Sequence, residues 1–80
     1  MDEETLTRYA AAFQMPPETI RAWYDSLPPE QRAVIVKCWK RRAPPGPRDG
    51  DGWAADYRHY EAASASFTAL AVQYLQETLP

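Results

Sequence analysis

The C-terminal third of the chain carries the most regular hydrophobic pattern of the sequence. Four aromatic residues recur there at a spacing of seven, which is two turns of an α-helix: Trp53, Tyr60, Phe67 and Tyr74. Apolar side chains lie beside them at offsets of three or four, namely Tyr57, Leu70, Ala71 and Leu75. The pattern predicts one amphipathic helix over residues 53–79. At about 1.5 Å per residue, this helix is roughly 40 Å long.

A helix of that length is too long for the rest of the molecule. A compact domain of 80 residues is roughly 30 Å wide, so the helix must overhang, bend or lie against something else. The small residues at 62–66 allow either a bend or the close approach of a partner helix. A second copy of the chain is the nearest partner, and we expect a homodimer or a tight complex with another protein. The expected contact residues are Tyr60, Phe67 and Tyr74.

Three shorter amphipathic helices are predicted upstream, over residues 3–14, 17–26 and 29–42. Asp2 is placed to cap the first, and Pro17 and Pro29 suit the first positions of the next two. Trp23 and Trp39 lie on the apolar sides of the second and third helices, so we expect both in the core.

Residues 43–52 contain three prolines and all three glycines of the chain, which predicts a linker. Asp51, near its end, is a candidate cap for the last helix. No stretch alternates polar and apolar residues with β-branched enrichment, as a strand would. We therefore expect a single all-α domain, a small bundle of about four helices.

Composition narrows the class of protein. A hydrophobic content of 45%, with three tryptophans, argues for a folded chain. Cys38 is the one cysteine, so an internal disulfide is excluded and a reducing compartment is favoured. The acidic start lacks the positive charge of a signal peptide, and no apolar run approaches the roughly 20 residues of a membrane span. We expect a cytoplasmic protein with no membrane partner.

Charge is divided unevenly along the chain, although the net charge is only -2. Cations concentrate in and after the third helix, where a basic stripe beside Trp39 could bind nucleic acid. The candidate nucleic-acid contacts are Arg21, Lys37, Lys40, Arg41 and Arg42. The alternative for this stripe is a solvated helix face whose last turn favours cations. The N-terminal carboxylates are candidates for meeting a cationic surface on a protein partner, and they are Asp2, Glu3 and Glu4.

Catalysis and metal binding have little support in the sequence. His59 is the one histidine, and Ser64 and Ser66 point to other sides of the same helix, so no nucleophile is paired with a base. A metal site would have to combine Cys38 and His59 with carboxylates from unrelated segments. The segment 49–52 resembles the start of a calcium loop, but no glutamate stands at the twelfth position. We expect no enzymatic activity, no cofactor and no metal.

Four residues of the first two predicted helices share a characteristic spacing: Ala10, Met15, Ile20 and Trp23. This arrangement resembles the helix-turn-helix family of DNA-binding proteins, in which a small residue lets the second helix pack closely and two larger residues anchor it. The resemblance implies a transcription regulator that reads DNA through residues 17–25. Two features depart from the family pattern: Gln14 replaces the usual glycine, and the exposed face carries the carboxylates of Glu18 and Asp25.

In size, acidity and lack of catalytic groups, the chain is similar to the small inhibitors carried by phages and other mobile elements, of which anti-CRISPR proteins are one group. This likeness implies a non-enzymatic protein that covers a surface of a larger host complex, such as one that binds nucleic acid. Two function classes therefore stand side by side. The first is a protein-binding inhibitor or regulator, and the alternative is a helix-turn-helix DNA-binding regulator.

Overall fold

The computed structural model describes residues 1–79 and contains four α-helices and one 3-10 turn. The α-helices are α1 (Glu3–Phe13), α2 (Pro17–Ser26), α3 (Pro29–Arg41) and α4 (Trp53–Thr78), and the 3-10 turn spans Pro47–Asp49. No strand occurs within residues 1–79. The all-α prediction is confirmed. Each helix begins at the predicted residue and ends within one residue of the predicted end.

The helix ends follow from a few residues in their first and last turns. Asp2 caps α1 as predicted, because its carboxylate accepts the Thr5 backbone N–H at 2.7 Å. Helices α1 and α3 end in Schellman-type turns in which Gln14 and Arg42 adopt left-handed backbone, with φ of 54° and 59°. Glycine is the usual residue there, since a side chain costs about 1–2 kcal/mol in this conformation.

The linker between α3 and α4 is a fixed loop. The Arg41 guanidinium donates to both carboxylate oxygens of Asp49, at 2.6 and 2.7 Å, and the Gly46 N–H donates to Asp49 at 2.8 Å. These bonds hold the pKa of the Asp49 carboxyl well below its usual range. The prediction that Asp51 caps α4 is wrong: Gly52 is the N-cap residue, and no side chain accepts a capping hydrogen bond there.

One aromatic residue from each helix meets in the core. Trp39 of α3 stacks on Tyr9 of α1 at 3.8 Å between ring centroids and lies 5.4 Å from Trp23 of α2. Phe67 of α4 meets Trp39 edge-on at 4.9 Å. The Trp23 indole N–H donates to the Ser66 hydroxyl at 2.9 Å, which ties α2 to α4. Trp23 and Trp39 are both buried, as predicted.

Helix α4 packs along α3 and sets the length of the molecule. Its 26 residues correspond to about 39 Å of helix, and the molecule measures 47 × 22 × 19 Å. Ala63 is fully buried, so the small-residue segment allows close packing within the chain. Beyond Phe67, the side chains of Leu70, Ala71 and Tyr74 still pack against the core, whereas Val72, Leu75 and Leu79 are exposed. The last turns of α4 therefore have one face on the core and expose apolar side chains on another.

Candidate functional site

The aromatic pattern of α4 faces the chain's own core. Phe67 exposes only 5% of its surface and contacts Phe13, Trp23 and Trp39 edge-on, each at 4.9 Å between ring centroids. It is therefore not available to a partner in this fold, which corrects the expectation for that residue. Tyr60 and Tyr74 are half-buried against the same core, and both keep part of their surface in solvent.

The N-terminal carboxylates lie beside cations that the sequence suggested for nucleic-acid binding. Asp2 is 3.7 Å from the Lys40 amine, and Glu3 forms an ion pair with Arg21. Exposed pairs of this kind contribute little to stability, but each neutralises charge on both partners. Glu4 is exposed and forms no ion pair within residues 1–79. Two of the carboxylates expected to bind a protein therefore neutralise two of the cations expected to bind nucleic acid.

Ion pairing also neutralises part of the positive charge of the basic stripe on α3. Arg41 is engaged by Asp49 in the loop, whereas Lys37 and Arg42 are exposed and free of ion pairs among the described residues 1–79. Trp39 is 6% exposed and packed between aromatic rings, so it cannot serve as a stacking platform for a base.

The helix-turn-helix-like residues take core positions. All four are buried: Ala10, Met15, Ile20 and Trp23. On the outer face of α2, Glu18 and Asp25 are exposed, and Arg21 is paired with Glu3. This face offers DNA phosphates more negative than positive charge, which opposes binding.

A groove with a volume of about 280 Å³ lies between the end of α1 and the C-terminal half of α4. We call it the apolar groove. Phe13, Val72 and Leu75 line it and expose 45%, 49% and 58% of their surface. Its lining is entirely uncharged and consists of Phe13, Gln14, Phe67, Thr68, Ala71, Val72, Tyr74, Leu75 and Thr78.

This groove was not predicted, because Leu75 was grouped with the aromatic stripe of α4. A second stripe on the same helix was readable in the sequence. Thr68, Val72, Leu75 and Leu79 follow one another at spacings of four, three and four, which puts them on one helix face. The exposure of its last three members shows that this stripe faces outward.

Of the candidate reactive groups, Cys38 is buried and Ser66 is hydrogen-bonded. Burial raises the pKa of the Cys38 thiol, so the unreactive protonated form is favoured. The Ser66 hydroxyl is occupied by the Trp23 indole. Within residues 1–79, no three His, Cys, Asp or Glu side chains come close enough together to hold a metal ion. No helix in the described part of the chain combines the length and the apolar character needed to cross a membrane.

Comparison of the chain with protein families, with curated proteins and with solved structures finds no match. The proposed function is therefore argued from the surface features of this molecule. Among them, the apolar groove exposes the most large hydrophobic side chains.

Proposed function

We propose that this chain is a small non-enzymatic inhibitor or regulator that works by binding another protein. The apolar groove is the observation that carries the proposal. Three large apolar side chains, Phe13, Val72 and Leu75, expose about half of their surface side by side. Scattered exposed hydrophobic residues are ordinary, whereas exposed apolar side chains grouped in one groove are typical of an interaction site.

The groove best fits the apolar face of an amphipathic helix on the partner protein. Two helices, α1 and α4, form its walls, and a helix docks in such a groove through apolar anchors spaced three or four residues apart. A charged side chain inserted there would lose its hydration without meeting an opposite charge, because the lining is uncharged. The partner's inserted face is therefore apolar, with charges confined to its edges.

Docking at one end of a 47 Å molecule extends the remainder over the partner's surface. A small inhibitor can in this way cover a binding surface on a larger complex without any chemistry of its own. Exposed carboxylates such as Glu4 would speed association with a cationic surface. More specifically, we propose an inhibitor of the anti-CRISPR type that acts on a nucleic-acid-binding host complex. The small size and the acidity of the chain support this.

Photo-crosslinking from two positions of α4 tests the docking site. A photoreactive residue in place of Val72 lies in the groove, whereas one in place of Gln76 is exposed outside it. We expect position 72 to crosslink to an apolar helical segment of the partner, mapped by mass spectrometry, and position 76 to give little product. Equal crosslinking from both positions would contradict the proposal. Crosslinks from position 72 to a second copy, with a dimer in sedimentation, would replace the heterologous partner by a homodimer.

A helix-turn-helix DNA-binding regulator is the second candidate, and the burial of Ala10, Met15, Ile20 and Trp23 favours it. It predicts duplex binding that weakens steeply with salt. It also predicts that Arg21→Ala changes the sequence preference, while Lys40→Ala weakens binding to all sequences alike. The protein-binding proposal predicts no shift of a short palindromic duplex by nanomolar protein at about 0.15 M salt.

A further inference from the structure

A second pocket, of about 360 Å³, lies between α1, the residues that follow α3 and Tyr60 of α4. Its lining includes two arginines, Arg8 and Arg42, and two tyrosines, Tyr9 and Tyr60, but no carboxylate residue. We call it the two-arginine pocket. We propose that it binds a phosphate group. The site is separate from the apolar groove, and the inference stands whether or not that groove binds a protein.

Arg8 is held in place before any ligand arrives. Its Nη2 donates to the Trp39 carbonyl oxygen at 2.6 Å, and its guanidinium carbon lies 5.3 Å from the centre of the Tyr9 ring. A guanidinium carries five N–H groups, so Arg8 keeps further donors for a ligand. Because the side chain is already restrained, binding costs less conformational entropy than it would for a freely rotating arginine.

Arg42 reaches the pocket from the end of α3. Its backbone is left-handed, and its N–H donates to the Trp39 carbonyl, so the position of its Cα is fixed by the turn that closes the helix. A non-glycine residue in this conformation is strained, as Gln14 is at the end of α1. Neither Arg8 nor Arg42 pairs with a carboxylate within residues 1–79, whereas Arg21 and Arg41 both do.

Phosphate is an anion that this set of donors matches. A phosphate monoester carries between one and two negative charges at neutral pH and accepts several charge-assisted hydrogen bonds from guanidinium groups. The hydroxyls of Tyr9 and Tyr60 take part in none of the side-chain hydrogen bonds of residues 1–79, so they can donate as well. Ala12 and Pro44 add apolar walls that would contact an organic group on the phosphate.

Titration of the ¹⁵N-labelled full chain with phenyl phosphate tests the site. We expect saturable shifts of the Arg8 and Arg42 side-chain signals and of the Ala43 amide. The same titration with inorganic phosphate is the second arm. A higher affinity for phenyl phosphate than for inorganic phosphate identifies an ester as the ligand, and equal affinities identify free phosphate. Sodium chloride at the same ionic strength is the third arm. Shifts that do not saturate, or that chloride reproduces, would overturn the proposal.

Two variants distinguish phosphate binding in the pocket from nonspecific electrostatic attraction to the protein surface. Arg42→Gly removes one guanidinium and also relieves the left-handed strain, so we expect its thermal midpoint to rise while its phosphate affinity falls roughly tenfold or more. Arg48→Gln makes the same charge change on an exposed residue outside the pocket, and it should retain affinity within about threefold. An equal loss in both variants, or none in Arg42→Gly, would contradict the proposal.

Discussion

Truncation of Phe67 to alanine distinguishes a core residue from a partner contact. The Phe67 ring is 5% exposed and meets Phe13, Trp23 and Trp39 at 4.9 Å, so one aromatic ring from each of α1, α2 and α3 loses its edge-on contact. Leu75 lies two turns further along the same helix and is 58% exposed. Leu75→Ala is therefore the matched control.

The expected costs of the two changes differ severalfold. Removing a buried phenylalanine ring costs about 3–5 kcal/mol, and the three aromatic contacts put Phe67 in the upper part of that range. At about 0.05–0.15 kcal/mol per residue, a chain of 80 residues has a total stability of roughly 4–12 kcal/mol. Phe67→Ala thus removes a large share of the total. Leu75→Ala should cost less than about 1 kcal/mol, because most of its side chain is already in water.

Denaturation in urea, followed by tryptophan fluorescence at two protein concentrations, measures both costs. Because the Phe67 contacts lie within one chain, the loss should not depend on protein concentration. A Phe67→Ala variant within about 1 kcal/mol of the unmodified protein would refute the assignment of Phe67 to the core. A loss that grew on dilution would instead place the side chain in an interface between copies.

Three further changes test local contacts. Gln14→Gly should stabilise the chain by up to about 1 kcal/mol because it relieves a left-handed backbone, and a lower thermal midpoint would contradict this. Ser66→Ala should cost about 1 kcal/mol in urea denaturation, since it leaves the Trp23 indole without its acceptor; no loss would mean that water replaces the hydroxyl. Asp49→Asn should destabilise the protein at pH 7. The Asp49 carboxyl has a pKa well below its usual value of about 4, so its stabilisation is present above pH 4 and is lost as the pH falls further. A destabilisation of the same size at pH 7 and pH 2 would contradict the ion pair with Arg41.

The helices were predictable because their signals are local. Asp2, Pro17 and Pro29 fix helix starts through the backbone groups of their own first turns, and the predicted starts are correct. Asp51 shows the limit of such reasoning: it has the chemistry of a cap but lies one residue before the position that needs one, which Gly52 occupies.

The surfaces were harder to predict because they depend on contacts between distant parts of the chain. Periodicity shows which residues of α4 share a face, but not which face meets the core, so Phe67 was expected to contact a partner although it is buried in the core. No sequence pattern indicates that Asp2 pairs with Lys40. None indicates that Arg8 and Arg42 line the same pocket. Only the packing of α1 on α3 through Tyr9 and Trp39 brings these residues together.

The affinities of two charge variants of α4 for the partner identified by crosslinking test the apolar groove most directly. Leu75→Glu places a carboxylate among uncharged lining residues, whereas Gln76→Glu places the same charge on the next residue, exposed and outside the groove. Both positions are solvent-accessible, so both variants should fold, as circular dichroism would verify. We predict that Leu75→Glu weakens affinity for the purified partner by roughly thirtyfold or more, and Gln76→Glu by less than about threefold. Equal affinities for the two variants would contradict the groove as the protein-binding site.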